Sequence, residues 1–286
     1  MSNIYKSEAG KTRIETAYRS WLDRWPVPAE FVTVPTSQGD TFVVVSGSEQ
    51  APPLVLLHGS IGNAATWLGD IATYAAHFRC YAVDIIGEPG LSAPSRPDLR
   101  SDAYAIWLDD VLSGLKLEKT SILALSLGGL FAFDFAARRP GRVTALAGIS
   151  PAGICHSRNF ILKYLPFFFL GDWGKKKVTE AIMGPMPENL PAEVHEFLAF
   201  QDLLRAEFNP RTEALPVLSD AQISKLDFPI LVVTAGKDVL LKTEETRDRL
   251  RALAPNAQVD FRPNARHFIP ATSDVILPFL KHANGL

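Results

Sequence analysis

A chain of 286 residues with 47% hydrophobic and 21% charged side chains can bury a sizeable core, and its formal net charge of -2 provides no basic stripe for nucleic acid. No apolar run reaches the roughly 18 residues a membrane helix needs. The nearest, Leu165-Pro166-Phe167-Phe168-Phe169-Leu170, is short and carries a proline. Cys80 and Cys155 are too widely spaced for a disulfide framework or a metal-ligand cluster. Residues 1–6 lack a basic stretch leading into an apolar one, so no secretory signal is read and a cytoplasmic location is expected.

Ile14, Tyr18, Trp21, Leu22 and Trp25 recur at helical spacing and predict an amphipathic helix over 12–25, inside an N-terminal extension of residues 1–28. Phe31–Val34 and Thr41–Val45 flank Ser37-Gln38-Gly39-Asp40 and read as strand, turn and strand. Short apolar runs then alternate with longer helical stretches. The runs are Leu54–Leu57, Tyr81–Ile86, Ser121–Leu125, Ala145–Ile149 and Ile230–Val233, with a later strand at Gln258–Phe261. Strands that are apolar throughout are those covered by helices on both faces. Helices are expected over 65–78, 101–115, 127–139, 242–254 and 272–284. The pattern predicts an α/β architecture: a mostly parallel, doubly wound sheet of about eight strands. Residues 29–153 and 222–286 form its core. The stretch between, residues 154–221, breaks the alternation and is too long for a bare loop, so it reads as an inserted, mainly helical cap.

Four motifs carry chemistry. Ala124-Leu125-Ser126-Leu127-Gly128-Gly129 follows a buried strand and opens a helix. A serine at such a turn occupies a strained backbone and presents its hydroxyl at the carboxyl edge of the sheet. The blander reading is a serine that caps the helix. The N-terminal amides of that helix, Leu127 N–H first, face a developing negative charge. Leu57-His58-Gly59-Ser60 ends another strand, and the Ser60 N–H is a second donor, with Ile61 as the neighbouring candidate. His58 reads as a group that holds this loop by hydrogen bonding. Ile230–Val233 runs into Thr234-Ala235-Gly236-Lys237-Asp238, which places a carboxylate at a late strand end; the alternative is an Asp capping the helix near Lys242. His267, in Asn264-Ala265-Arg266-His267, lies in the loop after the last strand. Of the other histidines, His77 and His282 fall in helical patterns and His156 and His195 in the inserted segment, so His267 is the candidate base.

On these motifs the chain resembles the α/β-hydrolase superfamily over about residues 30–284, in its serine, aspartate, histidine order. The resemblance implies Ser126 as nucleophile, Asp238 as acid and His267 as base, with the Ser60 and Leu127 amides as oxyanion hole. Asp84-Ile85-Ile86-Gly87-Glu88-Pro89-Gly90-Leu91-Ser92 and Ile149-Ser150-Pro151-Ala152 are similar to a bacterial carboxylesterase subgroup. Glu88 reads as structural or rim-facing. A serine nucleophile argues against the dehalogenase and epoxide-hydrolase members, which use aspartate.

The expected function is hydrolysis of a small apolar ester through an acyl-enzyme. Phe160, Leu165, Phe167, Phe168, Phe169 and Trp173 are candidates either to wall an acyl or alcohol pocket or simply to pack the cap. Thioesterase, lactonase, carbon–carbon hydrolase and acyltransferase chemistry on the same fold are alternatives, as is a slow-turnover small-molecule receptor. No cofactor fingerprint and no metal-ligand spacing is present. The expected partner is a small ester, with no nucleic acid and no membrane span, for a monomer or dimer.

Overall fold

The computed structural model describes residues 4–185, 187 and 189–286, the side chains of Ile161 and Phe168 excepted. Among the described residues the apolar runs pair into one sheet of eight strands: β1 (Ala29–Val34), β2 (Thr41–Ser46), β3 (Pro53–Leu57), β4 (Arg79–Val83), β5 (Thr120–Leu125), β6 (Val143–Ile149), β7 (Ile230–Ala235) and β8 (Ala257–Arg262). Their order is β1-β2-β4-β3-β5-β6-β7-β8. The β1–β2 and β2–β4 pairs are antiparallel, and all pairs from β4 onward are parallel.

The described helices are α1 (Glu8–Leu22), α2 (Ile71–Ala75), α3 (Ala103–Gly114), α4 (Leu127–Arg138), α5 (Phe160–Tyr164), α6 (Gly171–Met183), α7 (Ala192–Glu207), α8 (Asp220–Ile223), α9 (Thr243–Leu253) and α10 (Ser273–Ala283); α1 precedes β1, α10 follows β8, and the others lie in the connections between the parallel strands. Alternate residues of one strand feed opposite layers. Val55 and Leu57 pack with α3 and α4 on one face. Leu54 and Leu56 pack with α1 and α10 on the other. That two-sided burial is why the central strands are apolar at every position.

Three expectations need correction. The leading helix runs from Glu8 to Leu22, four residues earlier than its apolar stripe suggests, because the Ser7 side chain caps it by accepting the Gly10 N–H. Trp25 lies beyond its end and donates its indole N–H to Ser46 Oγ at 2.9 Å. The single helix expected over 65–78 is instead a 3-10 turn, Ala64–Trp67, and the short α2, interrupted at Leu68-Gly69-Asp70. β4 stops at Val83, because the Asp84 side chain turns inward to bind neighbouring backbone amides. No helix among the described residues is long and apolar enough to cross a membrane. Both cysteines are free and buried.

Candidate active site

Strand register brings the chemistry to one edge. Leu57 lies opposite Ala124, Leu125 opposite Ile149, and Ile149 opposite Val233. β3, β5, β6 and β7 therefore end together, and the loops that leave them carry His58, Ser126, Ser150 and Asp238. The carboxyl edge of an open parallel sheet is the usual place for a site.

Ser126 adopts φ 49° and ψ −111°, a conformation that costs a non-glycine residue on the order of 1–3 kcal/mol. The surroundings fix it there. Its N–H donates to Ile149 O at 3.0 Å, and its carbonyl accepts from the N–H groups of Gly129 and Ala152, both at 2.9 Å. Its side chain makes no capping bond to α4, so the hydroxyl is free to point elsewhere. Gly128 is required for the close approach: a Cβ there would lie 2.5 Å from Leu57 O and 2.6 Å from His58 O. At the −2 position Ala124 is fully buried, and its methyl is accommodated.

The Ser126 hydroxyl lies 3.0 Å from His267 Nε2, and His267 Nδ1 lies 2.7 Å from Asp238 Oδ2. An ionised carboxylate only accepts, so Nδ1 carries the proton and Nε2 offers its lone pair to the serine. The other Asp238 oxygen, Oδ1, accepts from Leu240 N–H at 2.7 Å and Leu241 N–H at 3.0 Å. These bonds hold the carboxylate in place without engaging α9, whose N-cap is Lys242. Two further contacts hold the histidine loop. Ser150 Oγ donates to His267 O at 3.1 Å, and the Phe268 N–H donates to Ile182 O at the end of α6 at 3.2 Å.

The loop after β3 is fixed by four side chains. His58 is fully buried, with Nδ1 at 2.8 Å from Gly59 O and Nε2 accepting the Ile85 N–H at 2.9 Å. Burial pushes its pKa down to about 4, so the ring is neutral with its proton on Nδ1. Asp84 accepts from the N–H groups of Ala64 and Leu91 and from the Tyr18 hydroxyl, each at 2.8 Å. Burial raises its carboxyl to about 6 against the pull of those three donors. Asn63 donates to Pro89 O. Glu88 Oε2 accepts the Ile61 N–H at 2.8 Å, and Oε1 accepts from Arg211 Nε at 3.2 Å. Glu88 is therefore buried rather than at a rim, and burial raises its carboxyl above the usual range. Among the described residues the Ser60 and Leu127 N–H groups have no hydrogen-bond partner.

The arrangement can deprotonate a hydroxyl and offer backbone amides to a developing anion. The sequence marks Ser150 only as part of the Ile149–Ala152 motif, without a role, and does not mark Arg211. The former follows a strand with no charge to flag it, and the latter is 123 residues from its partner. Of the aromatic residues expected around the site, Phe160 stacks on Tyr164 and Phe167 on Trp173, at centroid distances of 4.7 and 5.8 Å. Phe169, Trp173 and Leu165 are exposed. The Phe168 side chain lies outside the described residues. Among the described residues no group of three or more His, Cys, Asp or Glu side chains could hold a metal ion.

A family model for the alpha/beta hydrolase fold matches residues 52–185. An uncharacterized carboxylesterase, nap, of Bacillus subtilis (strain 168) is 33% identical over 94% of this chain and 90% of its own length. Carboxylesterase YbfK of the same strain is 31% identical, over 90% of this chain and 88% of its own. The crystal structure of naproxen esterase (carboxylesterase NP) from Bacillus subtilis superposes with a TM-score of 0.79 at 29% identity, covering 98% of each chain. By fold, site geometry and this likeness, the chain belongs to the α/β-hydrolase family and resembles its bacterial carboxylesterases.

Proposed function

We propose that the protein is a carboxylesterase that cleaves small apolar esters through an acyl-enzyme on Ser126, with His267 as base and Asp238 as acid. The observation that carries this reading is the His267 ring held between Asp238 Oδ2 at 2.7 Å and Ser126 Oγ at 3.0 Å. His267 Nε2 takes the hydroxyl proton as Ser126 Oγ bonds to the ester carbonyl carbon. The Ser60 and Leu127 N–H groups, both without partners among the described residues, hold the oxyanion. The imidazolium then returns its proton to the departing alkoxide. Water, deprotonated by the same nitrogen, attacks the acyl carbon; the tetrahedral intermediate collapses, Ser126 recovers its proton and the acid leaves.

In this reading residues 154–221 form a cap over the site, tied to it by α6, whose Ala181 and Ile182 carbonyls accept from Arg266 Nη1 and Phe268 N–H. The aromatic content of that segment, with Phe160, Phe167 and Trp173 in ring contacts, suits an apolar acyl or alcohol group. The carboxylesterase names of the relatives favour an ester over the other bonds cleaved on this fold. A cytoplasmic location goes with the same reading, since Cys80 and Cys155 are both unpaired.

The test is hydrolysis of short and medium p-nitrophenyl esters by the wild type and by Ser126→Ala. The expected outcome is turnover in the wild type and none above background in the variant. Activity that survives in Ser126→Ala would overturn the assignment of the nucleophile.

A further inference from the structure

Two amides compete for one role at the β3 loop. Ser60 is exposed, and its N–H has no partner among the described residues. Ile61, one residue on, has its N–H taken by Glu88 Oε2 at 2.8 Å. Ile61 also sits at φ 56°, in the left-handed region that a β-branched residue avoids. The strained residue thus lies directly beside the free donor, and a buried carboxylate holds it there.

That carboxylate is itself held from far along the chain. Arg211 Nε donates to Glu88 Oε1 at 3.2 Å, and the two side chains are 3% and 1% exposed. Arg211 Nη1 continues to Glu213 at 2.9 Å and Nη2 to the Tyr104 hydroxyl. Arg96 Nε donates to Gly87 O at 2.9 Å, and Arg96 Nη2 to Asn209 O at 2.7 Å, fixing the backbone on each side of the pair. A buried ion pair is a poor source of stability, since apolar side chains of similar volume often serve as well. Its constraint on geometry is the stronger reason for it, because each partner fixes where the other points.

We infer that Glu88, clamped by Arg211, is a positioning residue for catalysis: it ties down the Ile61 amide in its left-handed turn and so presents the Ser60 N–H to the oxyanion. The inference rests on the serine-esterase reading above. It also assigns a task to the segment that returns from α7, because Arg211 acts on the loop after β3 through Glu88. Preorganised donors act only if they are held where the charge develops, and loosening one acts on the transition state more than on substrate binding.

The test compares the wild type with Glu88→Leu/Arg211→Met, which removes both charges at similar volume, and with Glu88→Gln/Arg211→Met, which restores an acceptor for the Ile61 N–H. Rates are expressed per active serine, titrated with a p-nitrophenyl phosphonate. The expected result for the Leu/Met pair is a fall in kcat of about 10- to 100-fold with KM within about twofold, and an equal loss of affinity for a trifluoromethyl ketone. The Gln/Met pair should recover most of the loss. The Gln/Met pair also covers the case in which the Leu/Met pair does not fold, because its carboxamide oxygen keeps the Ile61 N–H and no buried guanidinium is left facing its NH2; it should stay within a few-fold of wild type, and a loss as deep as that expected of the Leu/Met pair counts against the inference. A strut with no catalytic task would lower the melting temperature and the titrated fraction but leave kcat per active serine unchanged, and that result in the Leu/Met pair overturns the inference. Ser126→Ala, assayed beside them, separates the two readings: activity in that variant sinks the nucleophile assignment whatever the Glu88 variants do.

Discussion

The Ser150 hydroxyl donates to the carbonyl oxygen of His267 at 3.1 Å, so the strand that ends beside Ser126 also holds the backbone of His267. Ser150 sits at φ 41° and is fully buried, a costly conformation for any residue with a Cβ. In Ser150→Ala the strain remains and the bond is lost. A neutral hydrogen bond contributes about 1 kcal/mol net, so we expect kcat/KM to fall roughly five- to tenfold and the melting temperature to drop by a few degrees. Ser150→Gly relaxes the backbone and loses the same bond. It should therefore regain melting temperature without regaining rate, and a parallel recovery of both would show that the bond does not position His267.

Asp238 divides its two oxygens between two tasks. Oδ1 accepts from the Leu240 and Leu241 amides, and Oδ2 faces His267 Nδ1. In Asp238→Asn the amide oxygen can keep both backbone bonds, which leaves the NH2 opposite Nδ1. Two donors then meet, and the imidazole must move its proton to Nε2, where it can no longer accept from Ser126. Such a tautomer change costs about 10⁴-fold in kcat. We expect that loss with the melting temperature nearly unchanged, since the loop keeps its bonds. A drop of less than about tenfold would mean that Asp238 does not set the tautomer.

Much of this site was legible because its parts are local. Strand-turn-helix around Ser126, the glycine turn before Asp238 and the loop of His267 each announce themselves within a few residues. The nature of the turn itself was legible too, because Gly128 answers to a steric demand. What the sequence left open depends on distant pairings. The sequence puts Ser60 ahead of its neighbour Ile61, but the physical reason to set Ile61 aside lies in Glu88, which takes the Ile61 amide. Arg211 completes that contact from another segment, and no local pattern marks it. The helix expected over 65–78 breaks where Gly69 interrupts the apolar spacing, and the chain closes a 3-10 turn before starting α2. The leading helix starts at Glu8, ahead of its apolar stripe, because the Ser7 cap sets its first turn.

Gly128 offers a direct test of the turn. Its added methyl in Gly128→Ala would meet the Leu57 and His58 carbonyl oxygens at 2.5 and 2.6 Å, atoms that belong to the sheet and the loop after β3 and cannot swing away. Either α4 moves off the sheet or the loop moves off Ser126. Overpacking of this kind costs about 1–3 kcal/mol. We expect a lower unfolding midpoint together with a loss of kcat larger than the loss of folded protein explains. Gly69→Ala is the control, because nothing lies within 4 Å of a Cβ there. Equal behaviour of the two variants would dismiss the close approach at Gly128.

The buried imidazole of His58 makes the last prediction, about pH. Its folded pKa is pushed down to about 4 by burial, whereas an unfolded histidine titrates near 6.5. Between those values the unfolded chain holds a proton that the folded chain refuses. The contribution of His58 is therefore fully present above about pH 6.5, declines as the pH falls, and is gone below about 4, a change of about 3 kcal/mol. Asp84 works in the opposite direction. Its folded carboxyl is raised to about 6, so the folded state takes up its proton first and gains relative stability as the pH falls through that value. The two effects mask each other in the wild type. His58→Gln removes only the first, so the difference between the two proteins isolates it. Chemical denaturation at about pH 7 and about pH 4 should show the wild type losing about 3 kcal/mol relative to the variant. A difference that stays constant between the two conditions would mean that His58 is not held neutral in the fold, and the hydrogen bonds assigned to its two nitrogens would have to be reversed or abandoned.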